Sequence, residues 1–478
     1  MIRLLWLACA VLWLAAAPRL YAQDTRLSST QLQEDFSIFR QALEEAHPGL
    51  YRYTSKATFD SLFDATSAAL QRPLSRQEFY VTLTPLIAAL RCGHTKWMAS
   101  GREEKYPFHT EDLFPLPLYI VGEQAWVLGH YGADSLPAGA EIVAIDGQPM
   151  QSLIGQLLPV LTFADGDTRN GKYADLNHYF SGIYATYIGT GPQYEVTYRA
   201  GGETQTTTLP AVTLEAIHHY EKAHATPAQL PLRLNWVDDQ TALLRISSFW
   251  VDKKEQDFEQ FLEASFREIK EKGAQHLILD LRDNEGGRDL WGKLLYSYMT
   301  DQPFAYYDRL VATGQKLTFP GYHPSIYKMV RPFLHKTPTG AEWRNRARLK
   351  PGKPKNEAFL GDVYVLINGR SFSVTTEFAA CAQVNQRAVF VGQETSGALQ
   401  GDNSGVFTIA KLPHANLELG IPLVAYYMAG VEATPHQAGG IQPDYEIVPT
   451  IQDVLAGQDP ALAHTLELIA AGTRAAQP

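Results

Sequence analysis

Ser373 is the residue of this chain best placed to do chemistry, because it follows the continuously apolar, β-branched run GDVYVLI and precedes a small-residue segment, Val374 to Gln383, of helical character. A run of that kind reads as a strand buried on both faces. A hydroxyl at such a junction is exposed at the strand's carboxyl end, and the following helix aims its first N–H groups at any developing anion. The competing role, for Ser371 or Ser373, is to cap that helix. A second junction is His276 to Arg288, HLILDLRDNEGGR, where a buried strand ends in a polar turn. Gly286 and Gly287 have no β-carbon, so backbone N–H groups there can come close to a ligand oxygen, as an oxyanion hole requires. A nucleotide-binding loop has a similar outline, but the Walker lysine is absent and GxGxxG is not matched. A third candidate is His94, in LRCGHT just past a helix; imidazole suits general-base work, and its competing role is to cap the helix carboxyl end. Cys92 is a second nucleophile candidate near the histidine, ranked below Ser373 because a side chain on the last helical turn points away from His94.

The elements that must position these groups fall into three stretches. Residues Ser29 to Arg91 read as helices, with Leu32, Phe36, Phe39 and Leu43 on one face, a capping box at Ser75 to Glu78, a kink at Pro85 and a stop at Gly93. From Pro107 to Val212 short alternating segments predict β structure, and LPAGAEIVAIDGQPM contains an Asp-Gly hairpin signal. IHHYEKAHATPAQLP reads as a connector whose His218, His219 and His224 lack the cysteine or carboxylate pattern of a metal site. After it, strands and helices alternate as in an α/β core with parallel sheet. Residues 302–356, rich in proline and aromatics, read as a loop or lid over the site. Arg282, Asp283 and Asn284 suit either orienting a peptide or tying the glycine turn in place.

The first 22 residues read as a signal peptide: Arg3, an apolar stretch from Leu4 to Ala17, and a cleavage site after Leu20-Tyr21-Ala22. Export to the periplasm or medium is therefore expected. Removing Arg3 and Arg19, with no acid lost, moves the formal charge from -10 to -12. An acidic chain argues against nucleic acid or an anionic membrane as partner. Cys92 and Cys381 remain after cleavage, no disulfide framework but enough for one bridge.

In order, LILDLRDNEGG, YVLINGRSFSVTTEFAA and RAVFVGQETSG, with GGIQPDYEIVPT near the end, resemble the core of the S41 serine peptidases, over about Leu232 to Leu455. The resemblance implies a ClpP/crotonase-like α/β core of β-β-α units. With the patterns above, and with LPAGAEIVAIDGQPM resembling part of a PDZ-like module, the chain divides into a helical domain over 23–104, a PDZ-like mostly-β domain over 105–215, a linker over 216–231 and the catalytic domain over 232–478. The S41 resemblance places the nucleophile on Ser373 rather than Ser371. The family's processing proteases use a lysine in the glycine turn that here reads Glu394 to Leu399, with Ala398 at the lysine's place, so a Ser/Lys mechanism is not expected. The tricorn-like branch uses a histidine from an earlier segment similar to LRCGHT, which implies His94 as base. That branch also has a late glutamate ahead of a G-x-x-P-D turn. Here Gly440 to Asp444 match the turn, Gln437 stands at the acid's place and Glu432 is the nearby substitute.

The expectation is thus an exported serine-type peptidase acting on peptide or protein substrates, with no cofactor or metal. In it Ser373 attacks, His94 moves the proton, and Val374 with Gly286 or Gly287 holds the oxyanion. Two alternatives are a weak or inactive relative that binds a peptide or apolar ligand on the same scaffold, and an esterase using the same serine, which the lack of a GxSxG elbow disfavours.

Overall fold

Continuous apolar runs build the central sheet. Strands Leu232–Asp238, Thr241–Ile246, His276–Asp280, Asp362–Ile367, Val389–Gly392 and Tyr445–Glu446 lie side by side in chain order, the first pair antiparallel and the rest parallel. In this computed structural model residues 26–98, 105–133, 136–225, 227, 229–337, 340–432 and 438–474 are described. The leader expected over 1–22 lies outside them. Parallel neighbours need crossover connections, which helices Phe258–Glu271, Asp289–Ser297 and Val374–Val384 supply. Leu277, Leu279, Val363 and Val365 join one buried cluster, while Ile278, Tyr364 and Leu366 meet the C-terminal helix Pro460–Ala470 on the other face. With both faces covered, the strands carry no polar alternation. The register pairs Asp280 with Leu366, so the glycine turn and the serine turn leave the sheet at neighbouring points on its carboxyl edge.

A second sheet is antiparallel. It contains Asn403–Leu412, Leu417–Met428 and Tyr307–Ala312, and Lys96–Met98 pairs with Leu417–Met428. The N-terminal helices Ser29–Ala46, Lys56–Ala69 and Arg76–Ala89 lie on it, where Leu32, Phe36, Phe39 and Leu83 share a buried cluster with Leu412, Leu419 and Ile421. Each such side chain contributes roughly 1.5–3 kcal/mol by leaving water. The helices are therefore not a separate body: they share a core with strands that follow Ser373.

A third sheet, Leu118–Val121, Gln124–Val127, Glu141–Ile145, Gln193–Ala200 and Glu203–Pro210, is covered by helices Met150–Leu157 and Asn170–Tyr187. Asp146 and Gly147 take φ of +48° and +73° and close the tight hairpin to Gln148–Pro149.

Three expectations need correction. The stretch read as a linker begins inside a helix, Leu214–His224, whose Leu214 and Ile217 are buried beside Leu113 and Val212; apolar residues three apart give it one face to pack. Residues 302–356 are not a loose lid, since Tyr307–Ala312 is a strand of the second sheet. Helix Arg76–Ala89 runs through Pro85 as one element and stops before Gly93, at Arg91, which takes the left-handed conformation (φ +52°).

Candidate active site

Ser373 sits between strand Asp362–Ile367 and helix Val374–Val384 with φ +56° and ψ −124°, a conformation that costs a non-glycine residue roughly 1–3 kcal/mol. Its side chain makes no cap bond to the helix. Ser371 has the structural role: its hydroxyl donates to the Leu281 carbonyl at 3.0 Å and accepts from the Asn368 N–H at 3.0 Å. That ties the serine turn to the end of strand His276–Asp280.

Nε2 of His94 lies 3.1 Å from Ser373 Oγ, and its ring stacks on Phe372 at 4.5 Å between centroids. Nδ1 of His94 has no hydrogen-bond partner among the described residues, so the imidazole is not capping a helix. Burial first lowers its pKa, the Asp402 charge raises it and the Lys96 charge lowers it again, for a net depression. Beneath it, Gly49 N–H donates to Nδ1 of buried His47, whose Nε2 is 3.1 Å from Thr95 Oγ1; Thr95 Oγ1 in turn reaches Cys92 Sγ at 3.4 Å. Cys92 is buried among the N-terminal helices, and burial pushes its thiol up to about 12, which disfavours the thiolate. Cys92 and Cys381 are both free and buried, so the bridge left open by the sequence does not form.

The glycine turn packs against the serine. A β-carbon on Gly286 would stand 2.7 Å from Ser373 Cβ and 2.9 Å from Val374 N, and one on Gly287 2.2 Å from the Phe249 carbonyl carbon. Both also have positive φ, +97° and +148°, which glycine adopts readily. The N–H of Gly286 donates to Asn284 Oδ1 at 2.9 Å, which removes it from the expected oxyanion donors. The N–H groups of Gly287 and Val374 have no partner among the described residues, and both residues line the cleft beside Ser373. Asn284 also donates to the Ile246 carbonyl at 2.9 Å, and Asp283 and Asn368 bond each other. Arg282 is held by Asp280 and Asp459. These three polar residues brace the turn.

The cleft has a volume of about 940 Å³ and an aromatic wall including Trp250, Trp291, Trp343 and Phe407. Trp343 and Arg348, from the stretch read as a lid, belong to that wall. On the other side of His94 a second hollow of about 370 Å³ lies among Lys96, Lys105, Phe163, Tyr179 and Arg370. Glu377 faces the cleft and accepts from the Tyr307 hydroxyl at 2.6 Å; burial, then Asp402, pushes its carboxyl well above the usual carboxylate range.

Two functional candidates escaped the sequence reading. Asp165 and Asp402 each bring a carboxylate oxygen to His94, the three ligating atoms lying within 4.8 Å of one another, and these residues are the cluster whose spacing could hold a cation. No spacing signal marks them, because three distant segments meet here: Gly93 N–H donates to Asp165 Oδ1 at 2.8 Å, Asp165 N–H to the Ser396 carbonyl at 2.8 Å, and Ser396 N–H to the Ser371 carbonyl at 3.2 Å. Of the supporting residues expected from sequence, Gln437 lies outside the described residues, and Glu432 is exposed and absent from the cleft lining. Ala398, at the lysine's place, is buried beside Tyr53 and Ala438. In the third sheet, the edge strand's Ile120 has both its N–H and its carbonyl bonded by the Asn177 side chain, so that edge is already partnered there.

Residues 240–447 match the family profile described as Peptidase family S41. Among solved structures the chain is similar to mature CPAF complexed with lactacystin, at 14% identity over 93% of this chain and 98% of that one, with a TM-score of 0.63. It is also similar to mature CPAF alone, at 13% identity over 92% and 96%, with a TM-score of 0.59. At such identities the likeness is one of fold. No curated protein matches the chain in sequence.

Proposed function

We propose, from the premise that this chain is a serine peptidase of family S41 through its residues 240–447, that it cleaves peptide bonds with Ser373 as nucleophile and His94 as base. The observation that carries this reading is the 3.1 Å approach of a half-buried imidazole to the hydroxyl of a serine in strained backbone. A neutral hydroxyl is a weak nucleophile, and a base within hydrogen-bond reach is what activates it. The depressed pKa of His94 keeps the ring neutral, in the form that accepts a proton, at ordinary pH.

In the first half-reaction Ser373 Oγ bonds to the scissile carbonyl carbon as Nε2 takes its proton, and the carbonyl oxygen becomes an oxyanion. The unpartnered N–H groups of Val374, at the positive end of its helix, and of Gly287 face that charge. Collapse breaks the C–N bond, and His94 returns the proton to the departing amine. Water then attacks the ester, giving one proton to His94, and the second collapse regenerates Ser373 and releases the acid. The aromatic wall of the cleft supports binding of an extended peptide through apolar side chains.

Two further parts of the reading rest on sequence. The leader over 1–22 directs the protein to the periplasm or medium. The domain over 105–215 is PDZ-like; the Asn177 side chain, reaching from helix Asn170–Tyr187 to Ile120 of its edge strand, favours a brace over a peptide-binding groove.

A serine-reactive phosphonate tests the proposal. It should label the wild type and leave Ser373→Ala unlabelled, while His94→Ala should lower peptide turnover by roughly 10⁴-fold or more. Peptide cleavage that survives Ser373→Ala would sink the reading, and apolar-ligand binding with no labelling would favour a carrier.

A further inference from the structure

We infer that Asp402, paired with Asp165, is the acid that orients His94 and carries the countercharge when the imidazole is protonated. This rests on the Ser373–His94 reading above. For Nε2 to accept the serine proton, the ring must carry its own proton on Nδ1, and a buried N–H needs an acceptor. Each of the three residues has one buried atom without a partner among the described residues, His94 Nδ1, Asp165 Oδ2 and Asp402 Oδ2, and the three bring ligating atoms within 4.8 Å of one another. The other oxygen of each acid is engaged, Asp165 Oδ1 by the Gly93 N–H and Asp402 Oδ1 by the Ser404 hydroxyl, each at 2.8 Å. The bond from Gly93 places Asp165 one residue from the histidine it serves. The two acids are 1% and 3% exposed, so they meet the ring without intervening bulk solvent.

The two carboxyls have different jobs. Burial, and then the Asp402 charge, push Asp165 well above the usual carboxylate range. The Asp402 charge raises the imidazole pKa. Arg52 closes the cluster from behind: Nη1 donates to the Asp402 carbonyl at 3.1 Å, Nη2 to the Gln400 carbonyl at 2.9 Å, and its charge acts on both acids. A guanidinium in the same pocket already supplies the positive charge that a bound divalent ion would bring, which sets the cluster apart from a metal site. Other charges around His94 are Lys96, at the start of the next strand, the ion pairs Lys105–Asp175 and Arg370–Glu285 in the second hollow, and Glu377 and Asp289 in the cleft.

The assignment makes unlike predictions for two look-alike substitutions. Asp165→Asn imitates the protonated acid and should lower kcat at least tenfold less than Asp402→Asn does, with the acid limb of the kcat/KM profile unmoved. Asp402→Asn removes the countercharge and should lower kcat by roughly 10³- to 10⁴-fold, the loss seen when a triad aspartate becomes asparagine. Its acid limb should move to lower pH, because the charge that raises the His94 pKa is gone. Asp402→Glu should restore the limb. Asp402→Asn at wild-type rate with an unmoved limb, while Ser373→Ala and His94→Ala are inactive, overturns this assignment and leaves the Ser373–His94 reading standing; active Ser373→Ala overturns both. Should the Asp402 variants fail to fold, ¹⁵N-histidine NMR of the wild type decides: the proton of neutral His94 on Nδ1 is the expected result, and on Nε2 the contrary one.

Discussion

Replacing Ser373 by glycine should destroy activity and still give a more stable protein than replacing it by alanine. Both variants lose the hydroxyl and its 3.1 Å bond to His94, so the comparison between them isolates the backbone. At φ +56° and ψ −124°, alanine keeps a strain of roughly 1–3 kcal/mol that glycine lacks. Glycine loses about 0.5–1 kcal/mol more to unfolded-chain entropy. The difference is about 1 kcal/mol in favour of glycine, opposite in sign to the usual preference. Neither residue brings a new contact into the turn, since Gly286 already sets the distance of closest approach to the Ser373 β-carbon. Parallel urea and thermal denaturation of the two variants is the assay, because any multistep unfolding of the several cores is common to both. An alanine variant more stable than the glycine variant by 0.5 kcal/mol or more would show that the serine backbone is unstrained, and would remove strain from the account of the site.

Three other outcomes follow from the same geometry. kcat/KM should rise with pH as His94 loses its proton, with the inflection below the ordinary histidine value of about 6.5, because burial outweighs the Asp402 charge; a pH–rate profile with an inflection above 7 contradicts the environment described. Buried His47, lowered to about 3, stays neutral in the fold while the unfolded chain takes up a proton below about 6.5, so stability should fall with decreasing pH at up to about 1.4 kcal/mol per unit; His47→Asn should flatten that slope in urea titrations at pH 4 to 7. Gly287→Ala, whose β-carbon would meet Phe249 and Trp250 backbone atoms at 2.2–2.5 Å, should displace an oxyanion donor and lower kcat roughly 10²- to 10³-fold with KM little changed; wild-type kcat in a folded variant would exclude Gly287 from the hole.

Local chemistry was legible where neighbours in sequence do the work. The apolar run before Asn368 is a strand, the small residues after Ser373 are a helix, and the capping box at Ser75 opens a helix, because each depends on contacts within a few positions. Gly286 and Gly287 were readable as close-approach residues, but not which N–H stays available; that turns on the Asn284 side chain folding back on the turn. The histidine-rich stretch from Ile217 looked like a connector because polar residues dominate its composition, and only Ile217, with Leu214 just ahead of it, reports the buried face. Residues 302–356 hid the strand Tyr307–Ala312 because its longer pairing is with Leu417–Met428, more than a hundred positions later, and only Val311 and Ala312 pair within the stretch, with Glu342 and Ala341. Asp165 and Asp402 carry no local pattern at all.

Those long-range meetings explain how the proposed base can come from so early in the chain. His94 is 279 positions from Ser373, and no local turn could hold two such side chains within hydrogen-bond distance. Two separate devices do it. The N-terminal helices bury Phe39, Leu83 and Ile87 against Leu419 and Ile421, and Lys96–Met98 adds a strand to the same sheet, which fixes the segment carrying His94 from both ends. Residues 165–168 then lie between that segment and the serine turn: Gly166 N–H donates to the Arg91 carbonyl at 2.9 Å, and Thr168 Oγ1 to the Ser396 carbonyl at 2.8 Å. The proposed nucleophile and oxyanion donors belong to the central sheet alone, whereas the proposed base and its acids need all three cores. Opening the N-terminal helices away from the sheet would therefore remove His94 while leaving Ser373, Val374 and Gly287 in place, so general-base catalysis fails before the α/β core does.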